Sequence, residues 1–306
     1  MRHALALLAA FVLVLAGCGG DNDGETSTGE RAGPPKGPPI RIGSKNFTEQ
    51  TILGELYRQA LEAKGFDVVL KPAIGSSEII HRALRRGSLD MYPEYVGVLL
   101  SEVAEVRARP RSTAAAYKLA KAYEKRAGFT MLAESRLSDA NALAAKPSFA
   151  RRHRLRTIAD LRRLPGKVKV SALSEFSTRF EGLKGLSDVY GLDNLRVTVV
   201  STDDRYRALE DGSVNVGSVF TTDAQLAGDR YVVLGDPRGL FASGHVAPIV
   251  SDKALAAHGP DLRAAIDAVT NVLTTPAMRR MNAAVDLSHR NPAIVAGEFL
   301  RAQQLA

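Results

Sequence analysis

Between Ile40 and Tyr92 short apolar runs alternate with segments of helical period, and that alternation decides which class of fold is open to the chain. The run Ile40, Ile42 stops at Gly43, and the polar loop Ser44-Lys45-Asn46 leads to Thr48-Glu49, residue types suited to a helix N-terminus whose free N–H groups need acceptors. Ile52, Leu53, Leu56, Ala60 and Leu61 then recur at helical spacing until Gly65 ends the helix. Residues 66–70 read as a second strand, Gly75-Ser76-Ser77 as a second helix start and 89–92 as a third strand. Such a β-α-β-α-β unit belongs to an open α/β sheet, in which ligands collect at the carboxyl ends of the strands, where these loops lie.

The alternation resumes downstream. Strands are predicted over 140–145, 168–173, 195–200, 214–219, 231–234 and 246–250, and helices over 113–127, 160–164, 180–190, 204–211, 261–273, 276–285 and 292–303. This pattern predicts a second, mainly parallel sheet, with the last helix docked on the first.

The N-terminus has a different character. Met1-Arg2-His3 and the apolar run 4–15 are too short for a permanent membrane span and read as a secretory signal. Leu15-Ala16-Gly17-Cys18 resembles the bacterial lipoprotein signal, in which the cysteine is lipidated and becomes the new N-terminus; an ordinary signal peptide with an incidental cysteine is the alternative. As Cys18 is the chain's single cysteine, no internal disulfide is expected. Residues 19–39, rich in Gly, Pro, Asp, Ser and Thr, bury too little surface to order themselves and read as a tether. Roughly 265 residues remain, enough for one large α/β domain or two smaller ones.

With 41 Lys and Arg against 33 Asp and Glu, the pI is about 9.6. The basic residues are scattered apart from Arg151, Arg152, His153 and Arg154 with Arg156, Arg162 and Arg163 nearby, and no aromatic-interleaved basic patch accompanies them. A solvated face is expected there, and no nucleic-acid partner.

The segments GSKNFTEQ, GSSEI, LDMYPEY, EFSTRFEGLKGL, VYGL, FTTD and NPAIVAGEFL, taken in this order over nearly all of 40–306, resemble the substrate-binding proteins of ABC transporters for glycine betaine and related osmoprotectants. The resemblance implies an α/β, two-lobed periplasmic-binding fold of type II, with a cleft between the lobes and a two-segment hinge. It places lobe 1 over 40–140 and 221–306 and lobe 2 over 141–220. It implies a monomer, lipid-anchored outside the cytoplasm, that hands a small zwitterionic or cationic solute to separate permease subunits, with no cofactor, no metal and no catalysis. The family's cation cage maps to Tyr95, Asn141, Tyr206 and Phe220, and its carboxylate contacts to Lys45 and Arg179. The family usually has tyrosine where this chain has Asn141 and Phe220, and YPEYTGT where it has YPEYVGV, so Val98 replaces a threonine hydroxyl. A betaine larger than glycine betaine, or differently shaped, is therefore expected.

Each residue also has a structural reading. Tyr95, between Pro93 and Gly97, is placed on a turn but is compatible with a core tyrosine; Tyr206 could anchor its helix; Phe220 closes a strand; Lys45 and Arg179 could be surface charges. Asn141 carries no signal of its own. Two other functions stay open: the same fold serving an amino acid or another compatible solute, and a secreted hydrolase. Against the hydrolase, the chain lacks G-x-S-x-G, H-E-x-x-H and the phosphate-loop motif, and His3, His81, His153, His245, His258 and His289 never fall at metal-ligand spacing.

Overall fold

The structure, a computed structural model, describes residues 37–106, 110, 112–201, 204–241 and 244–306. The signal segment, Cys18 and most of the expected tether lie outside those residues. Ten strands among them form two five-stranded sheets. They are β1 (Ile40–Gly43), β2 (Val68–Lys71), β3 (Met91–Tyr95), β4 (Phe129–Met131), β5 (Asn141–Ala145), β6 (Val168–Ala172), β7 (Leu195–Val199), β8 (Val216–Phe220), β9 (Val232–Leu234) and β10 (Val246–Ser251).

The first sheet has the order β2-β1-β3-β10-β4, with β1 parallel to β2 and β3, and β10 antiparallel to β3 and β4. The second runs β7-β6-β8-β5-β9, with β6 parallel to β7 and β8, and β5 antiparallel to β8 and β9. Four of its five strands therefore run the same way, as the pattern predicts, and β5 alone runs against them, which makes two of the four pairings antiparallel. The second sheet also reaches past the boundary expected at Phe220: β9 pairs with β5, and the chain regains the first sheet only at β10.

Each sheet carries its own core. The Thr48–Ala63 helix turns Ile52, Leu53, Leu56, Tyr57 and Leu61 inward against the first sheet and packs on the Pro260–Val272 and Pro292–Ala302 helices, as the apolar spacing predicts. In the second sheet Val168, Val170, Val216 and Leu234 join Leu186 and Tyr190.

Two local predictions fail for stated reasons. The third strand is shifted to Met91–Tyr95, so Tyr95 ends a buried strand instead of lying on a turn. Pro93 hides this strand in the sequence, since proline is confined mostly to edges. Here Pro93 faces Pro248 across the β3–β10 pair, and the bond from Val96 N–H to the His245 carbonyl sets a phase in which that pair exchanges no hydrogen bonds. Neither imino nitrogen interrupts the ladder. The helix expected over 180–190 is regular only over Gly185–Tyr190; Glu181 and Gly182 depart from helical dihedrals where the chain crosses the Phe176 carbonyl, 1.9 Å from where a Cβ on Gly182 would stand. Strand β4 and the helices Pro147–His153 and Asp252–His258 were not predicted, being too short to show a period.

A buried polar cluster lies under the first sheet, between the Ser77–Arg85 and Thr113–Arg126 helices. His81 Nδ1 is 3.2 Å from the Tyr92 hydroxyl and 3.8 Å from Glu124 Oε1, and neither Glu124 oxygen has a hydrogen-bond partner. Burial, then the Glu94 charge, pushes the Glu124 carboxyl up to about 8, against Arg85. Burial, then Arg85, pushes His81 down to about 4. A raised carboxyl pKa contributes stability that is present below the unfolded value and is lost as pH rises through the folded one; a lowered histidine pKa contributes stability that is present above the unfolded value and is lost as pH falls. The two oppose each other at mildly acid pH, and above the ordinary histidine pKa only Glu124 acts. The Glu124 contribution is therefore expected to fall by about 1–2 kcal/mol from pH 6.5 to 8, and Glu124→Gln to lessen the chain's loss of stability over that interval by the same amount in urea titrations at the two pH values.

Candidate functional site

Six expected residues, Lys45, Tyr95, Asn141, Arg179, Tyr206 and Phe220, line one cavity of about 1850 Å³, reached from both sheets. Glu49, Phe47, Asp139, Arg205, Asp223 and Val98 line it too. Among the described residues no group of three or more His, Cys, Asp or Glu side chains is placed to hold a metal ion.

On the first-sheet side the site is built at the carboxyl ends of β1 and β3. Lys45, two residues beyond β1, is buried, with Nζ 2.5 Å from Glu94 Oε1 and 3.1 Å from Ser77 Oγ. The same Glu94 oxygen accepts from Tyr95 N–H at 2.7 Å, and its other oxygen has no partner. Lys45 Nζ also lies 4.3 Å from the Tyr95 ring centroid. Tyr95 donates its hydroxyl to Glu49 Oε1 at 2.7 Å. Burial raises the Glu49 carboxyl against the donors Tyr95, Thr222 and Asn282, and burial followed by the Glu49 charge raises Asp139 well above the carboxylate range.

On the second-sheet side Asp223 organises the rings. Its Oδ2 accepts from the Tyr206 hydroxyl at 2.8 Å and from Phe220 N–H at 3.0 Å, and lies 3.4 Å from Arg205 Nη2. Buried Arg205 donates to the Ser218 carbonyl at 3.0 Å, and its guanidinium carbon is 5.2 Å from the Phe220 centroid and 6.0 Å from that of Tyr206. Tyr206 packs on Tyr231 at 4.9 Å. Asn141 opens β5 and donates to Glu181 Oε2 at 3.0 Å. Arg179 is exposed in the cavity wall, with no ion pair among the described residues.

The two sides are joined. Asn282 Nδ2 donates both to Glu49 Oε2 at 3.1 Å and to the Thr222 carbonyl at 2.9 Å, so a polar chain runs from Tyr95 through Glu49, Asn282 and Thr222-Asp223 to Tyr206. Beside it, Thr221 Oγ1 donates to the Ser138 carbonyl at 2.7 Å and accepts from Ala140 N–H at 2.9 Å, while Asp139 N–H donates to the Gly244 carbonyl at 2.9 Å. The segments around 138–140, 221–223 and 244 meet here closely enough that a Cβ on Gly244 would stand 2.0 Å from the Asp139 carbonyl oxygen.

Sequence reasoning passed over Phe47, Glu49, Arg205, Asp223 and Asn282. Phe47, Glu49 and Asp223 lie inside GSKNFTEQ and FTTD, so the motifs held them without a role; Arg205 is one of several charges beside Tyr206 at the start of the Asp204–Glu210 helix, and Asn282 has no local signal.

Residues 38–302 match the family described as the substrate binding domain of ABC-type glycine betaine transport system. A protein of Pseudomonas aeruginosa named glycine-betaine-binding protein is 31% identical over 285 residues, covering 90% of this chain and 91% of that one. The ergothioneine transport permease/ergothioneine binding protein EgtU of Helicobacter pylori is 27% identical over 86% of this chain, which spans 47% of that longer protein. Among solved structures, one titled glycine betaine/carnitine/choline ABC transporter has a TM-score of 0.81 at 24% identity, covering 87% of this chain and 99% of that one.

Proposed function

Because the chain belongs to the family of substrate-binding domains of ABC-type glycine betaine transport systems, with the two-lobed type II periplasmic-binding fold, we propose that its cleft takes a betaine-type quaternary ammonium solute and presents it to a permease. The observation that carries this reading is the pairing, in one cavity, of aromatic rings and buried carboxylates on one hand with the unpaired Arg179 on the other. A methylated ammonium has no N–H to donate, so ring faces and nearby acidic groups are what it can use, whereas a carboxylate asks for a guanidinium. Lys45, already bonded to Glu94 and Ser77, keeps one of its three N–H donors, so the principal anion contact falls to Arg179. The cavity exceeds the roughly 300–1,000 Å³ of ordinary small-molecule pockets. Ligand would bridge the two sides, make contacts present only when they close, and so shift the hinge equilibrium.

The lobes divide, in this reading, near Asn141 and again after Leu234, the last residue of the second sheet. Cys18 carries a lipid anchor, and the chain works outside the cytoplasm as a monomer. No described helix is long and apolar enough to cross a membrane.

Calorimetric titration against glycine betaine, carnitine, proline betaine, a histidine betaine, choline and free amino acids tests the proposal. Arg179→Ala is expected to weaken carboxylated betaines by about tenfold or more and to leave choline within about twofold. No heat with any quaternary ammonium compound would sink the reading.

A further inference from the structure

Phe47 breaks a local rule without a packing gain. It is the N-cap of the Thr48–Ala63 helix, extended at φ −145° and ψ 162°, and its side chain makes no bond to the first turn. That position favours Ser, Thr, Asn or Asp, whose oxygen satisfies a free N–H. The ring is not core either, for it is 42% exposed and lies in the cavity wall. Residues that violate local preference in this way concentrate where a protein binds or reacts.

The neighbours of Phe47 say what the ring suits. It stacks on Tyr95 with centroids 6.2 Å apart and planes 22° from parallel. Lys45 Nζ is 4.3 Å from the Tyr95 centroid and 5.8 Å from that of Phe47. Those three distances put the ammonium in the wedge between the rings, not on the far side of Tyr95, so the pair already holds one cation. Exposure then separates the rings: Tyr95 and Tyr206 are 3% and 5% exposed, against 42% for Phe47.

We propose that Phe47 is a ligand-contacting ring, the aromatic wall on the first-sheet side that meets the methylated ammonium and offsets the ring face absent at Asn141. This rests on the quaternary ammonium reading above. Phe47 stands beside Tyr95 as a platform whose outer surface is open to solute, while the inner surface is committed to Lys45.

Calorimetric titration of the wild-type chain, Phe47→Leu and Phe47→Trp with glycine betaine, carnitine, choline, proline betaine and a histidine betaine tests this. For whichever of these the wild type binds, Phe47→Leu, which keeps the bulk and loses the π-face, is expected to raise Kd about tenfold or more, and Phe47→Trp to hold it within about threefold. Phe47→Ser supplies the missing cap, so its ligand-free melting temperature is expected to match or exceed that of the wild type while its affinity falls. Binding by Phe47→Leu within about twofold of the wild type overturns the role, and so does a ligand-free melting temperature of Phe47→Ser lowered by about 5 °C or more, which would assign the ring to packing. Absence of binding by the wild type to all of these compounds overturns the quaternary ammonium reading and the role of Phe47 together, an outcome distinct from either.

Discussion

Glu94→Ala is expected to destabilise the folded chain by about 3–5 kcal/mol, seen as a lowered urea midpoint at unchanged slope. Glu94 sits on β3 in the middle of the first sheet, fully buried, and one of its oxygens takes both the Lys45 ammonium and the Tyr95 N–H. Alanine leaves a buried cation without its counter-charge and a buried N–H without its acceptor, and each loss has the full cost of desolvation behind it. The intact pair need not be a large net gain, because removing two charges from water offsets much of their attraction. The double variant Lys45→Met, Glu94→Gln, which deletes both charges and keeps an acceptor for Tyr95, is accordingly expected to lie nearer the wild type than Glu94→Ala alone. A loss under about 1 kcal/mol for Glu94→Ala would mean that the ammonium reaches water by another route, and would refute the argument.

Tyr95→Ala is expected to act twice, costing about 3–5 kcal/mol of stability and weakening any quaternary ammonium ligand by about a hundredfold or more. The ring belongs to the first-sheet core with Leu132, Leu137 and Val246, gives Glu49 its hydrogen bond and carries both Lys45 and Phe47 on one face. Tyr95→Phe separates the two effects. It keeps the ring and leaves Glu49 Oε1 without its donor, so about 1–3 kcal/mol of stability should go while affinity stays within about fivefold. Equal affinity losses for alanine and phenylalanine, measured by titration of the folded variants, would place the hydroxyl and not the ring at the centre of recognition.

The alternation from Ile40 onward was legible because one-sided helices and short apolar strands have distinct periods, and the Thr48–Ala63 helix follows its apolar residues closely. Elements depending on distant partners were not. β3 could not be read through Pro93, since only the phase of its pairing with β10 makes the position harmless, and the reversal of β5 in the second sheet depends on how that strand pairs with β8 and β9. The same division runs through the site. The motif wording brought six residues to one cavity, yet the commitment of Lys45 to Glu94 joins residues 49 positions apart, the link through Asn282 joins residues 60 and 233 apart, and the bond of Tyr206 to Asp223 joins residues 17 apart. Spacing along a chain carries no record of such pairings.

The polar chain from Tyr95 through Glu49 and Asn282 to Asp223 and Tyr206 works as a spacer bar. Every link is a direct hydrogen bond or a covalent neighbour, so any movement that separates Thr222 from Asn282 has to break the bonds at the inner end of the cleft. In the proposed reading a methylated head group meets this inner link first, and its tail meets Arg179 only as the outer gap shuts. Compounds sharing one methylated head and differing beyond it would separate in how fast they leave more than in how they enter.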